Sequence, residues 1–329
     1  MRKLNYLSAI REAMYEEMKR DDSIILMGED VRMSVFGASY GLFEEFGADR
    51  VYDTPLSEGG FVGTGIGAAM VGMRPVVDMA MTSFMFVAMD QFVSMMSKSV
   101  YTYGGQFKIP ILVRAGMIYN VSNAAQHSDR PYPMFMNVPG LRIIVPSNAL
   151  DMYGMIKTAI RNDDPVLCFE DCNIGAARMD IPEAEDDYTV ALGSAKIVRE
   201  GKDVTIIAIA GCVKLAVQAA ASLKKNSIDA EILDPRTLVP LDSKTIINSV
   251  KKTGKAVIVD PAHKTCSAAS EIAAILAQEA FYDLKAPVQV LACADVPVPF
   301  SRPLEDQLYP TVEKIIAAVN EIIQTGESG

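Results

Sequence analysis

Short, wholly apolar runs alternate with segments of helical period along almost the whole chain, and this alternation limits the fold more than any other feature. Ile24–Met27, Pro75–Met79, Pro110–Arg114, Arg142–Val145 and Val166–Phe169 are predicted strands in the first half. They are separated by helical patterns at Leu7–Met18, about Phe61–Val71, about Phe84–Tyr103 and Ala149–Arg161. Strands without a polar face are buried on both sides, so a parallel sheet covered by helices on both faces is expected. The stretch Asp171–Asp187 interrupts the pattern, being acidic, broken by Pro182 and without either period, and it reads as a linker. The alternation then restarts with strands Val204–Ala210, Asp229–Leu233, Ala256–Asp260 and Val288–Leu291. Helices Val213–Lys224, Ser243–Lys252, Ser267–Phe281 and Pro310–Ile323 lie between and after them. Two parallel-sheet α/β domains are expected, residues 1–187 and 188–329.

Composition excludes several other classes. The chain has 329 residues, enough for two cores, and 31 basic against 41 acidic residues give a net charge of -10. It lacks the basic footprint that a nucleic-acid backbone requires. The most apolar stretch, Gly59–Ala80, is rich in glycine and interrupted by Arg74 and Asp78, so no membrane span is expected. The opening 22 residues alternate charge along a helical face, unlike a signal peptide, and a cytoplasmic protein is expected. Cys168, Cys172, Cys212, Cys266 and Cys293 are scattered, with no histidine near the one close pair, and read as buried or incidental thiols. No metal site is predicted within the chain.

Three places could carry chemistry. Gly63, Gly65 and Ala68 satisfy a loose dinucleotide-binding pattern, but no apolar strand leads into them, and they suit close helix packing better. Glu58 lies between the turn Thr54–Ser57 and two glycines that open a nearly uncharged helix. A carboxyl sheltered there suits proton transfer, while capping of the helix by Ser57 or Glu58 explains the same residues. In the long helical pattern, Met85, Met89, Phe92 and Met96 share a face with Phe84 nearby, which is a core pattern or the wall of a cofactor site. His127, one of only two histidines, stands in the polar loop QHSDRPYP, where a histidine has better odds of function than one in a core, though an incidental loop residue explains it as well.

The ordered motifs GEDV (Gly28–Val31), GLFEEFG (Gly41–Gly47), RVYDTPLSEGGFVGTGIGAAMVGMRPV (Arg50–Val76), AMDQ (Ala88–Gln91), YGGQ (Tyr103–Gln106), QHS (Gln126–Ser128), PGLRIIVPS (Pro139–Ser147) and PRTLVPLD (Pro235–Asp242) span nearly the whole chain. Together they resemble the β subunit of the thiamine-diphosphate-dependent 2-oxo acid dehydrogenases, the decarboxylating component of pyruvate, branched-chain and acetoin dehydrogenase complexes. The resemblance implies a pyrimidine-binding domain followed by a transketolase C-terminal-like domain. Glu58 matches the glutamate that shares a proton with the aminopyrimidine ring, favouring the imino tautomer that activates the thiazolium. Phe84 matches an aromatic residue packed on the pyrimidine. His127 matches a histidine at the active-centre mouth, which stabilises substrate charge or assists acyl transfer to a lipoyl arm.

The family's diphosphate and Mg2+ site needs a GDG stretch followed by Asn, and this chain has no GDG. The resemblance therefore implies an α subunit that holds the diphosphate and Mg2+, an α2β2 heterotetramer, and a lipoyl-bearing acyltransferase as a further partner. The chain departs from the pattern at AGMIYNVSNAA (Ala115–Ala125), where relatives carry a glycine-rich run, and at DRPYPMF (Asp129–Phe135), which replaces a Gln- and Glu-containing sequence. Two other readings are the C-terminal half of a split transketolase-type transferase and a non-catalytic subunit descended from the enzyme. The SEGG context of Glu58, in place of an AEQN-like one, argues against the first, and the presence of Glu58, Phe84 and His127 argues against the second.

Overall fold

A computed structural model describes residues 1–325 as two compact units. The first comprises Met1–Ile118 and Met134–Leu192, and the second comprises Tyr119–Pro133 and the chain from Gly193 onward.

In the first unit, six strands lie side by side in the order Arg142–Ile144, Val166–Asp171, Leu112–Met117, Arg74–Met81, Ile24–Gly28 and Val51–Asp53. Every pairing among them is parallel. The five residues of Ile24–Gly28 and the six of Val166–Asp171 are all buried, as the apolar runs require. One face is covered by the helices Tyr6–Arg20 and Ala149–Arg161, which pack together around Ile10, Met14, Met152 and Ile156. Asn5 and Asn148 start these two helices with side chains that accept from the backbone of Ser8 and Asp151, at 2.9 Å each.

The helix Glu58–Met70 packs against the strand Arg74–Met81 and against the turns that follow it. Gly65 allows the approach, since a Cβ there would lie 2.9 Å from the Val77 side chain. Gly28 is equally constrained, because its Cβ would fall 2.4 Å from the Asp78 carbonyl oxygen on the neighbouring strand.

Two sequence expectations change in this unit. The segment Asp171–Asp187 is not a free connector. Its residues Met179–Ile181 pair antiparallel with Arg2–Leu4, and Asp187 meets Arg161 and Lys157, so it is tied to the first unit, which continues to Leu192. The expected long helix over Phe84–Tyr103 is one unbroken helical run, 82–102, of mixed winding: a 3₁₀ turn Thr82–Ala88, a π-helical turn Gln91–Met96 and a short α-helix Ser97–Thr102. Tight and wide turns in succession average to the helical period. Met85, Ala88, Phe92 and Met96 therefore all reach the core at spacings that read as one helix.

The second unit carries five strands in the order Gln289–Cys293, Ala256–His263, Val204–Ala208, Ala230–Asp234 and Lys196–Arg199, parallel except for the last. Cys212–Leu223 and Val312–Thr325 pack together over one cluster of buried residues, while Ser243–Thr253 and Ala268–Glu279 also pack together. Among the described residues, no helix is long and apolar enough to cross a membrane.

Candidate functional site

In a parallel sheet, ligands gather at the carboxyl ends of the strands. The first unit places its candidate residues there. Glu29 follows Ile24–Gly28, Thr54 follows Val51–Asp53, and Phe84 follows Arg74–Met81. Glu58 is the first residue of the helix Glu58–Met70, which packs on the turn carrying Phe84. Ser57 precedes that helix without a side-chain capping bond. Glu58 and Phe84 are each half-buried.

Glu29, the acidic residue of the GEDV motif, is a further member of this edge. Its Oε1 is buried without a hydrogen-bond partner, and so is Oγ1 of Thr54. Burial, and then the negative charges of Glu58 and Asp30, raise the Glu29 pKa above its ordinary value. A carboxyl directly after a wholly apolar parallel strand is the sequence signal that could have singled it out. On the other side, Gln91 of the π-helical turn reaches the helix opening, where a Cβ on Gly59 would lie 3.4 Å from its Oε1.

Beneath this edge lies a buried ionic trio. Arg114 donates through Nε and a terminal nitrogen to both oxygens of Glu170, at 2.6 and 2.7 Å, and through its other terminal nitrogen to Asp78. Burial opposes the Arg114 charge, but Asp78 and Glu170 outweigh it and raise its pKa, while burial raises Glu170 against the pull of Arg114. The second Asp78 oxygen accepts the Ala80 N–H at 2.9 Å. Ala80 has φ +56°, where the ladder with Leu112–Met117 shifts register. The trio thus fixes the bulge from which the chain turns into Thr82–Ala88 and Phe84.

His127 belongs to the second unit and closes a short 3₁₀ turn, Ala125–His127. It is half-buried, with its Nδ1 withdrawn from solvent. Ala125 and Asp129, two residues to either side, line a cavity of about 460 Å³ together with His263, Thr265 and Asp295. Among the described residues no group of three or more histidines, cysteines and carboxylates is placed to hold a metal ion.

Residues 2–172 match the transketolase pyrimidine-binding domain, and residues 193–315 match the transketolase C-terminal domain. The chain is 40% identical to the β subunit of acetoin:2,6-dichlorophenolindophenol oxidoreductase of Bacillus subtilis (strain 168), over 98% of each chain. It is 41% identical to the 2-oxoisovalerate dehydrogenase β subunit of the same organism, over 98% of this chain and 99% of that one. It is also 41% identical to the pyruvate dehydrogenase E1 component β subunit of Rickettsia felis, over 95% of this chain and 96% of that one. The chain belongs to this family of dehydrogenase β subunits. The family is one of thiamine-diphosphate-dependent oxidoreductases built on the two transketolase domains, and its β subunits work with an α partner. The fold is shared more widely, since a split-gene transketolase, described as an inactive β4 tetramer, superposes with a TM-score of 0.78 at 21% identity, over 98% of this chain and 99% of that one.

Proposed function

We propose that this chain supplies the pyrimidine half of a thiamine diphosphate site, with Glu58 and Phe84 holding the aminopyrimidine and His127 acting at the mouth of the active centre. The pyrimidine-binding role is assigned to residues 1–187 and the transketolase C-terminal-like role to 188–329. The observation that carries the reading is the edge formed by Glu29, Thr54, Glu58 and Phe84. Its two buried, unsatisfied oxygens, on Glu29 and Thr54, suit a polar ring that donates hydrogen bonds, and its aromatic residue suits the ring face.

When bound, thiamine diphosphate supplies a nucleophilic carbon and an electron sink for breaking the bond beside a carbonyl. The chain's residues do the rest. Glu58 holds and exchanges a proton at a pyrimidine nitrogen, and Phe84 orients the ring. Glu29 keeps a second carboxyl beside Glu58, more readily protonated than usual because of burial and the Glu58 charge. His127 stabilises negative charge at the substrate oxygen or assists transfer of the acyl group to a lipoyl acceptor.

The diphosphate and Mg2+ belong on the α subunit, since GDG is missing from this chain. Exposed Leu56, Phe86 and Val87, two or three residues from Glu58 and Phe84 in sequence, suit burial against such a partner. An α2β2 heterotetramer acting with a lipoyl-bearing acyltransferase follows from this reading. A cytoplasmic location is part of the same proposal. The substrate class is a 2-oxo acid or acetoin, the compounds for which the relatives are named. Purifying the chain with its α partner and assaying 2-oxo acids and acetoin with an artificial electron acceptor tests the reading. Cofactor-dependent oxidation of one of them is expected, and the absence of turnover with every one would refute it.

A further inference from the structure

The segment Tyr119–Pro133, which carries His127, takes an unusual path. Asn120, Ser122 and Ala124 have φ of +60°, +59° and +57°, in the region that favours glycine. Such a path needs support from outside, and before His127 it comes from the short helix Arg302–Glu305. Arg302 donates to the Asn120 carbonyl at 2.6 Å, and the Ser122 N–H donates to Glu305 Oε2 at 2.7 Å.

After His127 the support is Arg130. Its guanidinium is buried and lies 5.1 Å from the ring centres of both Tyr119 and Tyr309. Its Nε donates to the Pro261 carbonyl at 2.9 Å, and a terminal nitrogen donates to the carbonyl of Ser128, the residue directly after His127. Two residues further on, Tyr132 donates to Asp260, whose oxygens also accept from the backbone of Ala262 and Ala269 at 2.8 and 3.0 Å. One planar cation therefore joins the first residue of the segment, the Ser128–Asp129 peptide one residue beyond His127 and the strand Ala256–His263.

We propose that Arg130 is the positioning residue of His127, fixing the Ser128 carbonyl and with it the presentation of the imidazole for the reaction. The proposal rests on the reading of His127 as a residue of the active-centre mouth. Lysine cannot replace Arg130, because an ammonium lacks the planar fork that reaches two carbonyls while lying between two rings.

The test is a double-mutant cycle in the assembly with the α subunit, using Arg130→Met and Arg130→Lys with and without His127→Ala. Misplacement of a reacting group by about 1 Å costs on the order of 10²-fold in rate, so Arg130→Met should lower kcat by about that factor and Arg130→Lys by less. In the His127→Ala background neither change should cost anything further, whereas a purely structural Arg130 would give the same loss in both backgrounds. Histidine-selective NMR of the full chain supplies a readout independent of turnover. The chain has only two histidines, so His263→Gln assigns the signals. Arg130→Met should move the His127 signals, and those of His263, whose strand Arg130 also bonds at Pro261, serve only as the assigned second pair. Equal losses in both backgrounds, or unmoved His127 signals in a folded variant, would overturn the proposal. Full activity in His127→Ala alone would instead overturn the role of His127, while the NMR comparison would still decide whether Arg130 positions the ring.

Discussion

Burial of Glu29 and, beside it, the negative charge of Glu58 push the Glu29 carboxyl above its ordinary pKa. The pair stands at the carboxyl edge of the parallel sheet, on separate elements, so the fold itself maintains the conflict between them. An acid whose pKa is raised on folding costs stability once it ionises. In the unfolded chain Glu29 titrates near its ordinary value of 4.5. The cost is thus absent below that value, grows as the pH rises, and is complete above the folded pKa.

Glu29→Gln should therefore raise the thermal midpoint of the chain at about pH 7.5 and leave it nearly unchanged at about pH 4. Thermal melts at the two pH values check this. Destabilisation at the higher pH would show that the Glu29 charge is compensated in a way the geometry does not reveal.

Arg114 is the only cation among the three buried groups that set the bulge below Phe84. Its replacement leaves Asp78 and Glu170 facing each other without it. Loss of one partner of a buried ionic group costs about 3–5 kcal/mol, and Arg114→Met should do so in urea unfolding of the full chain. A loss of less than about 1 kcal/mol would place the trio among the weak surface pairs.

Ala124 has φ +57° and ψ -176°, a region occupied almost solely by glycine. A residue held there costs on the order of 1–3 kcal/mol, part of which the greater freedom of glycine in the unfolded chain offsets. Ala124→Gly should stabilise the chain by about 1 kcal/mol in the same unfolding assay. Destabilisation would mean that the loop path is not strained at this residue.

The fold was legible because its strands are buried on both faces. Ile24–Gly28, Val166–Asp171 and the helix Ala149–Arg161 stand where the apolar pattern puts them. The pattern gave the helix but not its change of winding in the tight and wide turns of Thr82–Met96, and it missed a polar segment pairing with a distant strand, at Met179–Ile181. Glu58, Phe84 and His127 could be chosen from motif and context. Glu29 carries one such signal, its place directly after an apolar strand, but its significance, like that of Arg130, lies in what stands opposite: a second carboxyl for Glu29, and two tyrosine rings 11 residues before and 179 after Arg130.

His127→Ala should leave cofactor binding nearly intact and impair decarboxylation or acyl transfer by about 10²- to 10⁴-fold, the usual contribution of a positioned proton-transfer group. Calorimetry of cofactor binding beside steady-state turnover in the αβ assembly separates the two effects. Loss of the cofactor, or full activity with the natural acceptor, would contradict the role given to this histidine.

Glu58 is the residue on which the proposed chemistry depends most. Gln can hydrogen-bond a pyrimidine nitrogen but cannot exchange the carboxyl proton, so Glu58→Gln should fold, assemble and retain cofactor while turnover falls by about 10²- to 10⁴-fold. A residue acting only at the helix start would give the opposite pattern, a small loss of stability with chemistry preserved. The deciding measurement is hydrogen–deuterium exchange at the thiazolium carbon of thiamine diphosphate bound to the αβ assembly. Exchange should slow in Glu58→Gln in parallel with turnover. Exchange at the unmutated rate would contradict the assignment of Glu58 as the activating acid.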